Sequence, residues 1–408
     1  MPIPPLEPQV AFPKDEGLPD LDRLFDNHWV WHAFCIKLGE PEEAPKRIRV
    51  LWLDYQPGAS AIACYAAEWE WGKWVVEDQF AIELVRGQSE TFFHYPDDPH
   101  LPGLRLAASA VDAPELLAKH VALSPYRLRV ESVRYRPGTR AVLRHISSWR
   151  QSRLGHVTLF VRVMRPRRVQ RLLTSAVLAK ESGFVIPRFV GSWEEGGVVW
   201  MTRIPGATVR TMIGKGIPPE PHRVLDGLEK LWSATIESKQ GRPLNLLADY
   251  QWTAGLLSRS LQGDGACRIL QQATDVLGPF SKAWRPSTLA HNDFYDDQML
   301  VTPDGEIALV DFEETGPGDP LYDVGNMLAH MRWMAWFGND AEARDAYRQR
   351  MRSAALDRFG WQPQDLAVRE SHALFSLSVW PIHQLRGDWA KSVETGLELV
   401  IRALEEAN

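Results

Sequence analysis

Cysteine is scarce in this 408-residue sequence: Cys35, Cys64 and Cys267 form an odd, scattered set with no C-x-x-C pair. That excludes a disulfide framework and a cysteine zinc knuckle, and it points to a reducing, cytoplasmic setting. Positive charge is not in excess either. With Lys+Arg 46 against Asp+Glu 52 the net charge is −6, so no basic field recruits nucleic acid or an anionic membrane. Apolar runs stop short of the roughly 18 residues that span a bilayer, and the first residues show no basic segment followed by an apolar core. What remains is a soluble globular composition, 45% hydrophobic and 24% charged, in a chain long enough for two or three domains. Tryptophan is plentiful, at 17. The alternation in Ala67-Glu68-Trp69-Glu70-Trp71 predicts a strand, with core the expected place for most indoles and stacking on sugar rings the other use.

The densest chemistry lies in residues 289–328. Pro303-Asp304-Gly305 predicts a tight turn between the apolar runs 298–301 and 307–310. Asp293 precedes the first run and Asp311 follows the second, so closing the hairpin brings two acids to one end of it. Two neighbouring carboxylates repel unless a cation lies between them, and a divalent ion carrying phosphate oxygens answers that need. Taken singly, an Asp at a strand end is a turn or helix cap, which is the expectation for Asp296, Asp304 and Asp319.

The joint spacing is more specific. His291-Asn292-Asp293-Phe294-Tyr295-Asp296-Asp297-Gln298 resembles the H-x-D-x-x-x-x-N/Q catalytic loop of the aminoglycoside phosphotransferase and choline kinase family. Asp311-Phe312-Glu313 resembles that family's metal-binding Asp, and Gly318-Asp319-Pro320-Leu321-Tyr322-Asp323 its G-D-P-x-x-D signature. The Gln in place of the commoner Asn is similar to maltokinases and glucosamine kinases. The resemblance implies an α+β, two-lobed protein-kinase-like fold and an ATP- and Mg²⁺-dependent transfer to a hydroxyl. It implies Asp293 as the base, Gln298 and Asp311 as metal ligands, and His291, like Asp323, as a brace of the loop. Glu313, Glu314, Asp296 and Asp297 are expected to form an acidic rim suited to a hydroxyl-rich or amine-bearing substrate.

The amino-terminal third contains a repeat. Residues 47–61 lie over 127–141 without a gap, at a constant offset of 80 that also matches Trp69 to Trp149 and Phe80 to Phe160. Each copy reads strand, Pro-Gly turn, strand, loop, strand. The proline-rich residues 1–19 are expected to be an extended arm, residues 21–25 the start of a short helix, 96–103 a loop and 113–120 a helix. By the resemblance, the second copy opens the small lobe. Its Gly138 turn takes the place of the loop over the ATP phosphates, and Arg162 stands where a lysine grips them. The first copy is expected to have Ile82 at the Arg162 position and so no phosphate cation.

The spacing predicts a helix over 166–182, whose Glu181 is the one acid available to steady Arg162, and strands at 189–193 and 197–203. The backbone of Met201 and Arg203 belongs by resemblance to the hinge facing adenine. Further helices are predicted over 220–238, 250–262, 267–277, 321–336, 341–359, 366–386 and 389–406. In the helix after Asp319, His330 and Arg332 face either the cleft or solvent. The division expected is 1–122, a β-rich cap; 123–204, a small lobe; and 205–408, a helical large lobe. The function expected is a small-molecule kinase acting on a sugar, amino sugar, aminoglycoside or amino alcohol, with no nucleic acid or membrane partner and an open oligomeric state. Two other classes stay in view: a pseudokinase serving as a binding module, motivated by Arg162, and a metal-dependent phosphohydrolase.

Overall fold

The structure, a computed structural model of the chain, describes residues 3–8, 14–148, 156–234, 241–261, 263–385 and 388–406. The chain divides into two compact units. One comprises Met1–Val169, Phe189–Thr202 and Trp380–Lys391, the other Gln170–Arg188, Arg203–Val379 and Ser392–Asn408.

The first unit holds two five-stranded sheets. One runs in chain order through β1 (Leu6–Glu7), β2 (Arg47–Gln56), β3 (Ser60–Trp71), β4 (Trp74–Val85) and β5 (Thr91–His94). The other contains β6 (Arg127–Arg136), β7 (Arg140–Ser148), β8 (His156–Met164), β9 (Phe189–Trp193) and β10 (Val198–Thr202), in the order β6-β7-β8-β10-β9. α1 (Asn27–Leu38) precedes β2, and α2 (Leu104–Ala108) and α3 (Ala113–Val121) precede β6. The repeat is visible in the registers: Arg47 pairs with Glu68 and Gln56 with Ser60, while Arg127 pairs with Ser148 and Arg136 with Arg140. Both turns carry a left-handed glycine, Gly58 at φ 73° and Gly138 at φ 65°.

The third strands depart from the constant offset. Cys64 pairs with Ala81 but Arg144 with Phe160, and Ile62 pairs with Glu83 where Val142 pairs with Arg162. The counterpart of Arg162 is therefore Glu83, not Ile82, and Phe160 does not occupy the place of Phe80. A one-residue slip exchanges sheet faces: Phe80 is in the core, whereas in β8 the core residues are Leu159 and Val161. The expected Trp149 match lies outside the described residues.

The duplication reaches further upstream than the sequence reading placed it. Asp15 accepts hydrogen bonds from the Tyr55 hydroxyl at 2.6 Å, Gly58 N at 2.6 Å and Gly17 N at 2.8 Å. Asp98 repeats the arrangement with Tyr135 at 2.9 Å, Gly138 N at 2.7 Å and His100 N at 2.8 Å. Both acids begin a D-x-x-L-P-x-L motif, Asp15 to Leu21 and Asp98 to Leu104, whose leucines are buried. The described part of the expected extended arm is thus fastened down: Leu6 and Glu7 pair parallel to β2, and Leu6 is buried. Asp98→Ala, which leaves three donors without their acceptor, is expected to lower stability by about 3 kcal/mol. Asp15→Ala should cost a similar amount, both read from urea denaturation.

The second unit is mostly helical, and its helices bury apolar faces against one another. α4 (Val169–Ala179) leads into it, followed by β11 (Ala207–Thr208), α5 (Val209–Gly214), α6 (Pro221–Ser233), α7 (Leu246–Ser260) and α8 (Asp264–Ala283). Then come β12 (Thr288–Ala290), β13 (Met299–Val301), β14 (Ile307–Leu309), β15 (Gly316–Gly318), α9 (Pro320–Phe337), α10 (Ala341–Phe359) and α11 (Pro363–Leu377). The predicted helix over 366–386 is interrupted: α11 stops at Leu377, and α12 (Trp380–His383) restarts with Pro381 in its first turn, where a missing N–H is tolerated. α12 belongs to the first unit, where His383 Nδ1 lies 2.7 Å from the Leu53 carbonyl. α13 (Trp389–Glu405) closes the chain. The predicted helical residues 235–238, 262 and 386 lie outside the described set.

Candidate active site

Strands of three residues need a turn that holds them together. Met299 pairs with Leu309 and Val301 with Ile307, with Gly305 at φ 80° in the predicted turn. The Val310 N–H donates to the Gln298 carbonyl at 3.0 Å and carries the ladder one step past the strands. Gln298 is thereby set beside Asp311.

The loop from His291 to Gln298 is held from several sides. Asp323, fully buried in the first turn of α9, accepts from His291 N at 2.8 Å, Asn292 N at 2.7 Å and the Trp232 indole at 3.0 Å. Asn292 adopts φ 70°, a left-handed conformation Asn tolerates, and its amide donates to the Glu314 carbonyl at 2.9 Å. A Cβ on Gly318 would come within 1.9 Å of Asn292 Oδ1, so this close approach requires the glycine. Asn326 Nδ2 donates to the Phe294 carbonyl at 3.1 Å. Asp293 N points at His291 Nδ1 at 3.4 Å, which makes His291 a brace within the loop, as Asp323 is.

Asp296 is not the cap expected. It is fully buried, and a buried carboxylate needs cations: Arg210 lies at 2.9 Å and Arg344 at 3.4 Å. Arg210 also pairs with Asp297 at 3.4 Å, and Arg171 of α4 pairs with Glu314. The expected acidic rim is therefore largely neutralised. Asp319 does cap α9, accepting from Leu321 N at 2.9 Å. His330 and Arg332 are both buried. His330 stacks on Tyr295 with centroids 4.0 Å apart, and Arg332 is buried against Glu370 at 2.8 Å. Arg210, Arg344, Trp232 and Asn326 escaped the sequence reading because their partners are distant in the chain, 86 residues for Arg210 and Asp296.

Both acids of the hairpin end bear on one hydroxyl: Tyr295 is pushed up first by burial, then by Asp293 and by Asp311. The fit to a divalent ion rests on Gln298. Its Nε2 donates to Asp293 Oδ2 at 3.0 Å, while its Oε1 is buried with no hydrogen-bond partner. Among the described residues no group of three or more His, Cys, Asp or Glu forms a cage. An amide oxygen beside one carboxylate, completed by phosphate oxygens and water, is instead the sparse oxygen set that Mg²⁺ takes.

Burial also holds histidines neutral: His291 falls to about 4, His330 to about 3 and His372 to about 4. Their depressed values contribute stability above the unfolded pKa near 6.5, lost as pH falls. Asp323 and Asp249, each raised to about 6 by desolvation, act with the opposite sign over the same window. Three histidines outweigh two carboxyls. Stability should therefore fall by on the order of 1 kcal/mol per pH unit between about pH 6 and 4, measurable as melting temperature against pH.

In the first unit, Arg162 is buried in β8, opposite Val142 and Val199, and Met201 lies in β10 at a bulge against β9. Arg203 is exposed just past the end of β10. Gly138 does not offer its N–H to a ligand, because Asp98 accepts it, and its carbonyl accepts from Arg165 Nε at 2.8 Å. The Asp15 and Gly58 pair shows the same pin, so this turn is corrected from a phosphate loop to a structural clasp. α4 presents Arg171 and Ser175 to the segment after Asp311, Ser175 Oγ donating to the Glu313 carbonyl at 2.9 Å. Glu181 sits exposed beyond its end.

No curated protein sequence matches the chain. Among solved structures it is similar to a thermostable mutant of aminoglycoside phosphotransferase APH(4)-Ia in ternary complex with AMP-PNP and hygromycin B, at 16% identity and TM-score 0.50, covering 72% of this chain and 99% of that one. A choline/ethanolamine kinase family protein from Mesorhizobium loti matches at 17% identity and TM-score 0.51, over 73% and 98%. Choline kinase from Cryptosporidium parvum matches at 13% and 0.51, over 73% and 96%. At such identities the likeness is one of fold, the α+β kinase-like fold expected. The sequence model of the phosphotransferase enzyme family matches residues 138–363, more than half of the chain and all of the His291 to Asp323 region. By that match the chain belongs to the phosphotransferase enzyme family.

Proposed function

We propose that this chain moves the γ-phosphoryl group of ATP to a hydroxyl of a small molecule: a sugar, amino sugar, aminoglycoside or amino alcohol. The observation that carries the reading is the Gln298 side chain, tied by nitrogen to Asp293 and left with a buried, unsatisfied oxygen. Asp293 orients the acceptor hydroxyl and takes its proton as the new O–P bond forms and the bond to the departing ADP oxygen breaks. Gln298 and Asp311 would hold Mg²⁺, which when bound neutralises charge on the phosphates. In the same reading Arg162 binds phosphate, and the Met201 and Arg203 backbone faces adenine. In this reading residues 1–122 are a cap domain, 123–204 a small lobe and 205–408 a large lobe, in a reducing cytoplasm suited to three free thiols.

The test is mass spectrometry of a sugar, amino-sugar, aminoglycoside and choline panel, scored for an ATP-dependent gain of a phosphoryl group. Chelation with EDTA should abolish the gain and added Mg²⁺ restore it. A binding module without chemistry is the second reading, favoured by the Gly138 N–H already given to Asp98. Calorimetry with Mg-ATP separates the two: no heat of binding, with or without the panel compounds, supports the module.

A further inference from the structure

The stretch Ala67-Glu68-Trp69-Glu70-Trp71 has no part in the steps above. It ends β3 and leads through the left-handed Gly72, at φ 61°, and Lys73 into β4, with Trp71 opposite Trp74, Glu70 opposite Val75 and Trp69 opposite Val76. This end of the hairpin outruns its neighbours: β2 begins opposite Glu68, and β5 pairs with residues 80–83 alone. Its two edges differ. On the β3 side Lys46 N donates to the Glu68 carbonyl at 2.7 Å, the Trp69 indole to the Glu43 carbonyl at 2.9 Å and the Lys46 ammonium to Glu70 at 2.6 Å, so residues 43–46 cover that edge. On the β4 side, among the described residues, no strand pairs with 74–78. Unpaired N–H and C=O groups template another strand, and edges are ordinarily guarded by charge, proline or a covering segment. Here the hairpin end carries apolar side chains instead: Trp71, Trp74, Val75 and Val76 are exposed by 60%, 67%, 57% and 42%.

The register follows from which backbone groups face outward. Tyr95 N donates to the Gln79 carbonyl at 2.9 Å, so Gln79 turns its backbone groups away from β3, and by the two-residue period of the ladder Glu77 and Val75 do the same. The Lys73 ammonium, 5.3 Å over the Trp74 ring, has no ion-pair partner among the described residues, while Glu77 meets Arg49 through Oε1 at 2.9 Å and leaves Oε2 for another cation. We propose that a second copy of this chain pairs antiparallel with this edge about a two-fold axis at Val75, which sets Val75 against Val75, Trp74 against Val76 and Lys73 against Glu77. An aliphatic centre, an aromatic and β-branched pair on each side, and an opposite-charge pair beyond it are the cross-strand contacts that stabilise a sheet. The patch is self-complementary, as a two-fold interface requires. An axis at Val76 would instead set Trp74 against Asp78, which His94 already holds at 2.5 Å, and leave Lys73 without a carboxylate. The inference goes beyond the phosphotransfer reading and does not depend on it.

Sedimentation velocity of the full-length chain over about 1 to 100 µM tests it, since so short an edge predicts a weak dimer with a dissociation constant on the order of 10 µM. Val75→Lys changes an exposed side chain and sets like charges face to face on the axis; it should raise the dissociation constant by at least about tenfold with an unchanged melting curve. Lys73→Glu alone and Glu77→Lys alone each oppose like charges at two contacts and should weaken the dimer by about tenfold. Mixed one to one, those two variants place opposite charges at both contacts and should associate as wild type does. Recovery on mixing does not arise from a folding defect in either chain. A wild-type chain that stays monomeric throughout the range, variants that dimerise like wild type, or a mixture that stays as weak as its parts overturns the inference and leaves phosphotransfer standing.

Discussion

Asp293→Asn should lower kcat by about a thousandfold while leaving the fold and Mg-ATP affinity within a factor of two or three of wild type. The substituted amide still offers an oxygen to Gln298 Nε2, now 3.0 Å from Asp293 Oδ2, so the loop keeps its tie. What is lost, on the proposed reading, is the basic site for the acceptor proton. Steady-state kinetics on whichever panel compound is phosphorylated, with calorimetry of Mg-ATP, reads both quantities. Unchanged turnover would remove Asp293 from the mechanism, and loss of nucleotide binding in step with kcat would make it a structural residue.

Asp323→Ala is expected to be the most damaging single change to stability. One buried carboxylate accepts three N–H donors, from His291, Asn292 and Trp232, and all three would be stranded out of reach of water. At about 1–3 kcal/mol for each group left unmade, a loss on the order of 4 kcal/mol follows, or roughly 10 °C in melting temperature. Asp323→Asn should cost less, since its oxygen retains one or two of the bonds. Activity should fall in both, because Asp293 is two residues from the anchored His291 backbone. Thermal denaturation of the two variants side by side decides it: equal, small shifts would show that the loop is held by other means.

The hairpin was legible because its geometry is written locally. Gln298 and Asp311 flank strands whose turn is marked by Pro303 and Gly305, and a hairpin's geometry follows from its own residues. The brace by Asp323 was legible from the G-D-P-x-x-D signature. The buried ion pair was not. Asp296 looks like a turn acid in sequence, and nothing near it announces Arg210 or Arg344. Gly138 misled for a related reason: a Pro-Gly turn reads identically whether its N–H meets a phosphate or an aspartate, and the aspartate lies 40 residues upstream. The D-x-x-L-P-x-L echo was available as a signal, but its offset of 83 differs from the 80 of the strands, and a search at one offset passes over it.

The order of residues alone determined the family, the hairpin and the duplicated strands, since each depends on neighbours close along the chain. Tertiary structure decided which acids are spent on arginines, which glycine amide is already occupied, and which amide oxygen is buried without a hydrogen-bond partner. Those outcomes depend on burial and on partners brought together from far apart, and a carboxylate's behaviour is set by what surrounds it in space.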